Sequence, residues 1–287
     1  RTRRLFALYA GASESDGVAI PQFMNEIVSS QLDVDRMDYM IRDQANTGAQ
    51  IGGFDSARVI RALRVGEDGR LYAKSWGLPA IEAYLVTRYH MYNQVYFHKV
   101  NQLTQEYLIR LLSRAKTLAL SGEIQLSNSL TKMLTDENLS VTDYVKLTDA
   151  DINSVMIDWA EHSDEELSGY AQKLSSRRGY HKSIRIGELT TEMAEVVIPK
   201  LLPILSEAGY DESEIITASI RKKGYMPYAQ GILLEDGRDA VEHSPLIQSL
   251  VQQSEQALIF IPEDVRDHCE VVARECIKPS QSSLSSF

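Results

Sequence analysis

Ser29-Ser-Gln-Leu-Asp-Val-Asp-Arg-Met-Asp-Tyr-Met-Ile-Arg-Asp43 carries four carboxylates and two guanidiniums in fifteen residues. That is more charge than a routine helix start holds. Asp33 is a good N-cap, with Arg36 three residues on, so the spacing predicts a helix starting there. On that helix Asp35, Tyr39 and Asp43 fall at i, i+4 and i+8 and share one face. Leu32, Met37, Met40 and Ile41 are its apolar neighbours. One face then offers a hard anionic ligand, an aromatic hydroxyl and a second carboxylate. Acidic residues in a first turn also suit the helix dipole, so capping chemistry alone accounts for Asp33 and Asp35 equally well at this stage.

Around this stretch, residues 22 to 45 read as one helix and Thr47 to Gly53 as a loop. Asp55 reads as the N-cap of a helix from Ser56 to Leu63. Arg64-Val65, the turn Gly66-Glu-Asp-Gly69 and Leu71-Tyr-Ala73 read as a hairpin. Pro79 to Leu120 is a long helical stretch, apolar at Ile81, Tyr84, Leu85, Tyr92, Val95, Tyr96, Leu103, Leu108, Leu111 and Leu112. Helical patterning continues from Ser127 to Leu174, with Thr148 and Asp149 as helix-start residues. The acidic set Asp158, Glu161, Asp164, Glu165 and Glu166 reads as a solvated face. Near Ile184 the signal changes. Ile184 to Ile186, Ile215 to Ile220, Ile232 to Leu234 and Ala257 to Ile261 read as short strands, with a helix from Thr191 to Ala208 among them. The fold class expected is therefore mainly α, a helical region over 1–183 followed by a smaller α+β subdomain over 184–278, with a flexible tail over 279–287.

Composition sets outer limits. With 287 residues, 44% hydrophobic and 24% charged, the chain has ordinary globular composition and can bury a substantial core. No apolar run approaches the ~20 residues that cross a bilayer, and no signal-peptide core opens the chain, so a cytoplasmic protein without membrane contact is expected. The formal net charge of −10 argues against general nucleic-acid binding. It leaves room for a small polyphosphate, because Arg36, Arg42, Arg58, Arg61, Arg64, Arg88 and Lys99 are concentrated in the first hundred residues. Cys269 and Cys276 are seven residues apart, which on a helix favours two reduced thiols.

Two ordered blocks carry a resemblance to a known family. Phe23-Met-Asn-Glu-Ile-Val followed by the run to Asp43, then Thr47-Gly48 and Gly53-Phe-Asp55, resembles the second half of an HD-domain phosphohydrolase. It is similar to the branch containing the deoxynucleoside triphosphate triphosphohydrolases. Glu82-Ala-Tyr-Leu-Val-Thr-Arg-Tyr-His-Met-Tyr-Asn-Gln-Val-Tyr-Phe-His-Lys99 resembles the following helix of that family. Weaker similarity continues through Leu174-Ser-Ser-Arg-Arg-Gly-Tyr-His-Lys182.

The resemblance implies an HD-domain-like helical bundle and a metal-dependent release of tripolyphosphate from (deoxy)nucleoside triphosphates. It assigns Asp35 as a ligand to a divalent ion such as Mn, Fe or Mg, and Arg36 and Arg88 as phosphate-binding. Tyr39, Asp43 and Tyr96 would contact sugar and base, and Lys99 would lie near an allosteric nucleotide site. Relatives of this kind imply a homo-oligomer, a dimer or tetramer. The family's remaining metal ligands are an upstream His and a His-Asp pair, and no His-Asp dipeptide occurs in this sequence. All six histidines follow the Asp35 motif, and Asp267-His268 is the pair reversed. The expectation is that the other ligands, and any general acid or base, come from a region upstream of the residues given. Two other readings stay open: a catalytically inactive nucleotide-binding or scaffold protein, and an HD hydrolase of another nucleotide phosphoester.

Overall fold

The computed structural model describes residues 11–15, 17–135, 139–187, 189–222, 225–227, 231–251 and 254–277. The expected tail over 279–287 lies outside these residues. Two compact units divide the chain. One comprises Arg1–His98 with Arg221–Glu255, and the other Lys99–Ile220 with Gln256–Phe287. This partition differs from a single division at residue 184. The grouping follows the apolar residues: Tyr225, Ile232, Leu234, Ala240, Val241 and Ile247 are buried with Met37, Met40, Val59, Ile81, Tyr84 and Leu85.

In the first unit a two-residue hairpin, β1 (Glu14–Ser15) with β2 (Val18–Ala19), precedes α1 (Gln22–Val28) and α2 (Val34–Thr47). The stretch from 22 to 45 is thus two helices. Asp33 restarts the helix by accepting from Arg36 N at 2.7 Å and Ser30 N at 3.1 Å, which takes Ser29 to Asp33 out of helical continuity. Gly48 closes α2 in the left-handed conformation at φ 69°. Asp55 caps α3 (Ser56–Ala62), as its sequence predicts, by accepting from Arg58 N at 2.8 Å. The expected hairpin also forms, β3 (Leu63–Val65) antiparallel to β4 (Leu71–Ala73) with Leu63 opposite Ala73. Its turn uses Gly69 at φ 75°. The expected strand at Ile232 to Leu234 is reduced to isolated bridges, Leu234 beside Ala73 and Leu233 beside Asp239. α4 (Leu78–Met91) passes into a π turn at Tyr92–Tyr96, and a short α11 (Pro245–Ser249) packs against α4.

The long helix expected from Pro79 to Leu120 is therefore interrupted. Phe97 N reaches back five residues to Tyr92 O at 2.8 Å, the π-type spacing, and Phe97 leaves helical geometry. The second unit opens at that break with α5 (Lys99–Leu120). Next come α6 (Asn128–Thr135), α7 (Val141–Tyr144), α8 (Asp149–Trp159) and α9 (Glu165–Ser176). Leu111, Ala115, Leu118, Leu130, Trp159, Leu167 and Ala171 form the core of this bundle. Thr148 starts α8 as expected, its N–H donating to Asp151 at 2.8 Å. Asp164, expected on a solvated face, instead caps α9 through Leu167 N and pairs with Arg114 of α5.

The same unit holds the small α+β part. β5 (Lys182–Ser183), β6 (Ile216–Lys222) and β7 (Ser254–Ile261) form a sheet in the order β5-β7-β6. β5 is antiparallel to β7, with Lys182 opposite Ile261. The expected strand at Ile184 to Ile186 thus sits earlier and shorter, though Ile184 N still donates to Ile259 O. α10 (Thr191–Glu207) packs on α12 (Arg266–Ile277) through Val197, Leu201, Leu205, Cys269 and Ala273. Cys269 and Cys276 are both free thiols. The architecture is mainly α with a small α+β part, as the sequence predicts. Among the described residues no helix is long and apolar enough to cross a membrane.

Candidate functional site

The candidate site is built on α2, the end of α4 and the π turn, all in the first unit. The helical spacing that groups Tyr39 with Asp43 is realised, because both meet Tyr96. The Tyr96 hydroxyl donates to the Asp43 carboxylate at 2.9 Å, and the Tyr39 and Tyr96 rings meet edge to face at 6.0 Å. Tyr92, four residues before Tyr96 in the π turn, packs on it edge-on at 5.1 Å. Burial, followed by the neighbouring Tyr92 hydroxyl, raises the Tyr39 pKa far above the ordinary tyrosine value. Burial and the Asp43 carboxylate do the same for Tyr96. Both hydroxyls therefore stay protonated and can donate throughout the physiological range.

Arg88, one turn before Tyr92, lies half-buried with its guanidinium 5.6 Å from the Tyr92 ring centre. Its Nη1 donates to Gln31 Oε1 at 3.3 Å. Arg36 is held at the other side of the α2 start, its Nη1 donating to Ser30 O at 2.7 Å and its Nε 3.4 Å from Asp33. It lines a cavity of about 510 Å³ together with Ser30, Gln31, Glu26, Arg70 and Tyr72. Asp35 is exposed in the first turn of α2 and has no hydrogen-bond or ion-pair partner among the described residues. Met37 and Met40 are buried as expected, whereas Ile41 is 49% exposed, because it lies on the same outward face as Val34 and Asp38. Lys99 belongs to the second unit. There it is exposed on the wall of a separate cavity of about 290 Å³, with Lys182, Arg185 and Arg266.

The structure thus brings Tyr39, Asp43 and Tyr96 into contact and sets Arg88 beside them through Tyr92. Asp35 touches none of these groups. Among the described residues no three His, Cys, Asp or Glu side chains stand together in a way that could hold a metal ion. These residues alone do not fit a complete metal shell, and Asp35 offers a single carboxylate toward one.

Two participants escape a reading of the sequence. Tyr92 is legible as i+4 from Arg88 and i−4 from Tyr96, but an aromatic at that spacing reads as core. Gln31 has no local signal at all, because its amide partner is the backbone of Met226.

The family model for the HD associated region matches residues 54–284, and the chain belongs to that family. The uncharacterized protein YwfO of Bacillus subtilis (strain 168) is 33% identical over 188 residues, 65% of this chain and 42% of that protein. The uncharacterized protein MG461 of Mycoplasma genitalium is 27% identical over 188 residues, 60% of this chain and 44% of its own length. The chain therefore spans less than half the length of these curated relatives. Among solved structures, a phosphohydrolase from Bacteroides thetaiotaomicron VPI-5482 matches with a TM-score of 0.70 and 29% identity, covering 90% of this chain and 66% of that one. A hypothetical protein from Aquifex aeolicus matches in fold, with a TM-score of 0.69 and 24% identity over 94% of this chain and 64% of that one. The chain shares its fold with that phosphohydrolase over the matched part.

Proposed function

We propose that this chain forms the nucleotide-facing part of an HD-type phosphohydrolase that acts on (deoxy)nucleoside triphosphates, releasing nucleoside and tripolyphosphate. The observation that carries this reading is the convergence of Tyr39, Asp43 and Tyr96, with Arg88 beside them. The likeness to a phosphohydrolase supports the reaction class. Asp43 is half-buried and accepts from Tyr96, which leaves carboxylate lone pairs for a sugar hydroxyl. Tyr39 and Tyr96 offer aromatic edges and faces against the sugar and base. Arg88 and Arg36 supply planar forks for the phosphate oxygens, a geometry that suits polyphosphate better than a lysine does. Asp35 is proposed as one carboxylate toward a divalent ion, which in this class of hydrolase activates water. Lys99, with the cationic rim of its cavity, is proposed as part of an effector site for an anionic ligand.

The test is incubation of the protein with its metal shell completed, Asp35 together with the remaining ligands, with each (deoxy)nucleoside triphosphate and Mn, Fe or Mg, with products followed by phosphorus NMR. Tripolyphosphate and free nucleoside are expected, at a rate reduced about tenfold or more by Arg88→Ala. Orthophosphate or pyrophosphate as the product moves the reading to another phosphoester hydrolase. Saturable nucleotide binding without turnover under any metal leaves a nucleotide-binding scaffold. The absence of both binding and turnover overturns the proposal.

A further inference from the structure

Arg88 is held by a neutral group. Among the described residues no carboxylate pairs with it, and its side-chain hydrogen bond goes to the amide oxygen of Gln31. A carboxylate there would neutralise the guanidinium, whereas an amide fixes one edge of the fork and leaves its positive charge intact. Gln31 is only 5% exposed and is itself held at both side-chain polar atoms and at its backbone carbonyl. Its Nε2 donates to Met226 O at 2.5 Å, its Oε1 accepts from Met226 N at 3.5 Å, and its backbone carbonyl accepts from the Tyr84 hydroxyl at 2.8 Å. Pairing with one backbone donor and one acceptor fixes which way the amide points, so its oxygen is the atom turned to Arg88.

The Met226 backbone is anchored in turn. Tyr225 N donates to Leu250 O at 2.8 Å, and the buried Tyr225 hydroxyl donates to Asp239 at 2.6 Å. We infer that Gln31 is a positioning residue for Arg88, transmitting the fixed backbone of Tyr225 and Met226 to the guanidinium so that its remaining N–H groups are preorganised for phosphate oxygens. This rests on the reading of Arg88 as a phosphate-binding residue. It adds a residue 195 positions away in sequence as the ultimate anchor.

The test uses the full chain and inorganic tripolyphosphate, titrated by calorimetry. Arg88→Ala tests the phosphate reading, and unchanged affinity there would overturn that reading itself. Gln31→Met, close in shape but without an acceptor, is expected to weaken binding about five- to tenfold in the natural background. It should have no further effect in the Arg88→Ala background. An equal loss in both backgrounds marks a general structural role and overturns the positioning inference, as does no loss in either while Arg88→Ala still weakens binding. If Gln31→Met does not fold, the unaltered chain decides. The Arg88 guanidinium NMR signals should show hindered rotation with resolved Nη protons, and full averaging would overturn the inference.

Discussion

Tyr96 shows how one hydroxyl can serve both stability and recognition. It donates to Asp43 from a half-buried position, so its net contribution to folding is that of an ordinary hydrogen bond, about 1 kcal/mol. Tyr96→Phe keeps the ring that packs on Tyr39 and Tyr92 and removes only the donor. It should lower the urea midpoint slightly, by no more than about 1 kcal/mol of stability. Nucleoside triphosphate affinity should change several-fold, since Asp43 loses the partner that orients it. Calorimetric titration beside a denaturation curve separates the two effects. The pairing of Tyr39 and Asp43 on one face was legible from their i, i+4 spacing. Their meeting with Tyr96 was legible only through resemblance, because residues 53 apart in sequence share no local pattern.

Among the elements, α9 gives a clean case of electrostatics. Asp164 caps it through Leu167 N and pairs with Arg114 of α5, and the Arg114 guanidinium holds its carboxyl down to about 2. A carboxylate depressed in the folded state adds stability that is present above its ordinary value near 3.8 and disappears as pH falls toward 2. Asp164→Asn retains a good N-cap and removes the charge. It should therefore destabilise the protein at pH 7 and make progressively less difference between pH 4 and pH 2, as read from thermal or urea unfolding at each pH. The sequence marked Asp164 only as one of a run of acids, because Arg114 lies 50 residues away. A second test concerns the entry to α4. Gly77 has an ordinary φ of −82°, so backbone freedom does not explain it. Space does: a β-carbon there would overlap that of Ala62 in α3. Gly77→Ala should cost about 1–3 kcal/mol in equilibrium unfolding, with partial recovery on adding Ala62→Gly.

For the whole molecule, the informative feature is that residues 221–255 complete the core of the first unit, although the sequence reads 1–183 and 184–278 as separate regions. A fragment ending at Ser183 lacks Tyr225, Ile232, Leu234, Ala240, Val241 and Ile247. It should expose the apolar faces of α2 and α4, bind a hydrophobic dye and fail to unfold cooperatively, whereas the 287-residue chain should unfold cooperatively. Tyr225→Phe is the point version. It removes the donor to buried Asp239 and the acceptor for Ile232 N, and should cost about 2–4 kcal/mol by urea denaturation.

By itself the sequence determined the local elements: the Asp33, Asp55 and Thr148 helix starts, the hairpin at Leu63 to Ala73, the mainly helical class and the shared face of Tyr39 and Asp43. Each of these depends on neighbours within about one or two helical turns, where side-chain periodicity and capping act. The tertiary structure decided the break of the long helix at the π turn, the shift of the strand near Ile184, the burial of Tyr225 to Ile247 with α2 and α4, and the amide of Gln31 that meets Arg88. Those features come from contacts between residues tens to hundreds of positions apart. Their register is set by packing and by the requirement that buried polar groups find partners, and neither constraint leaves a periodic trace in the sequence.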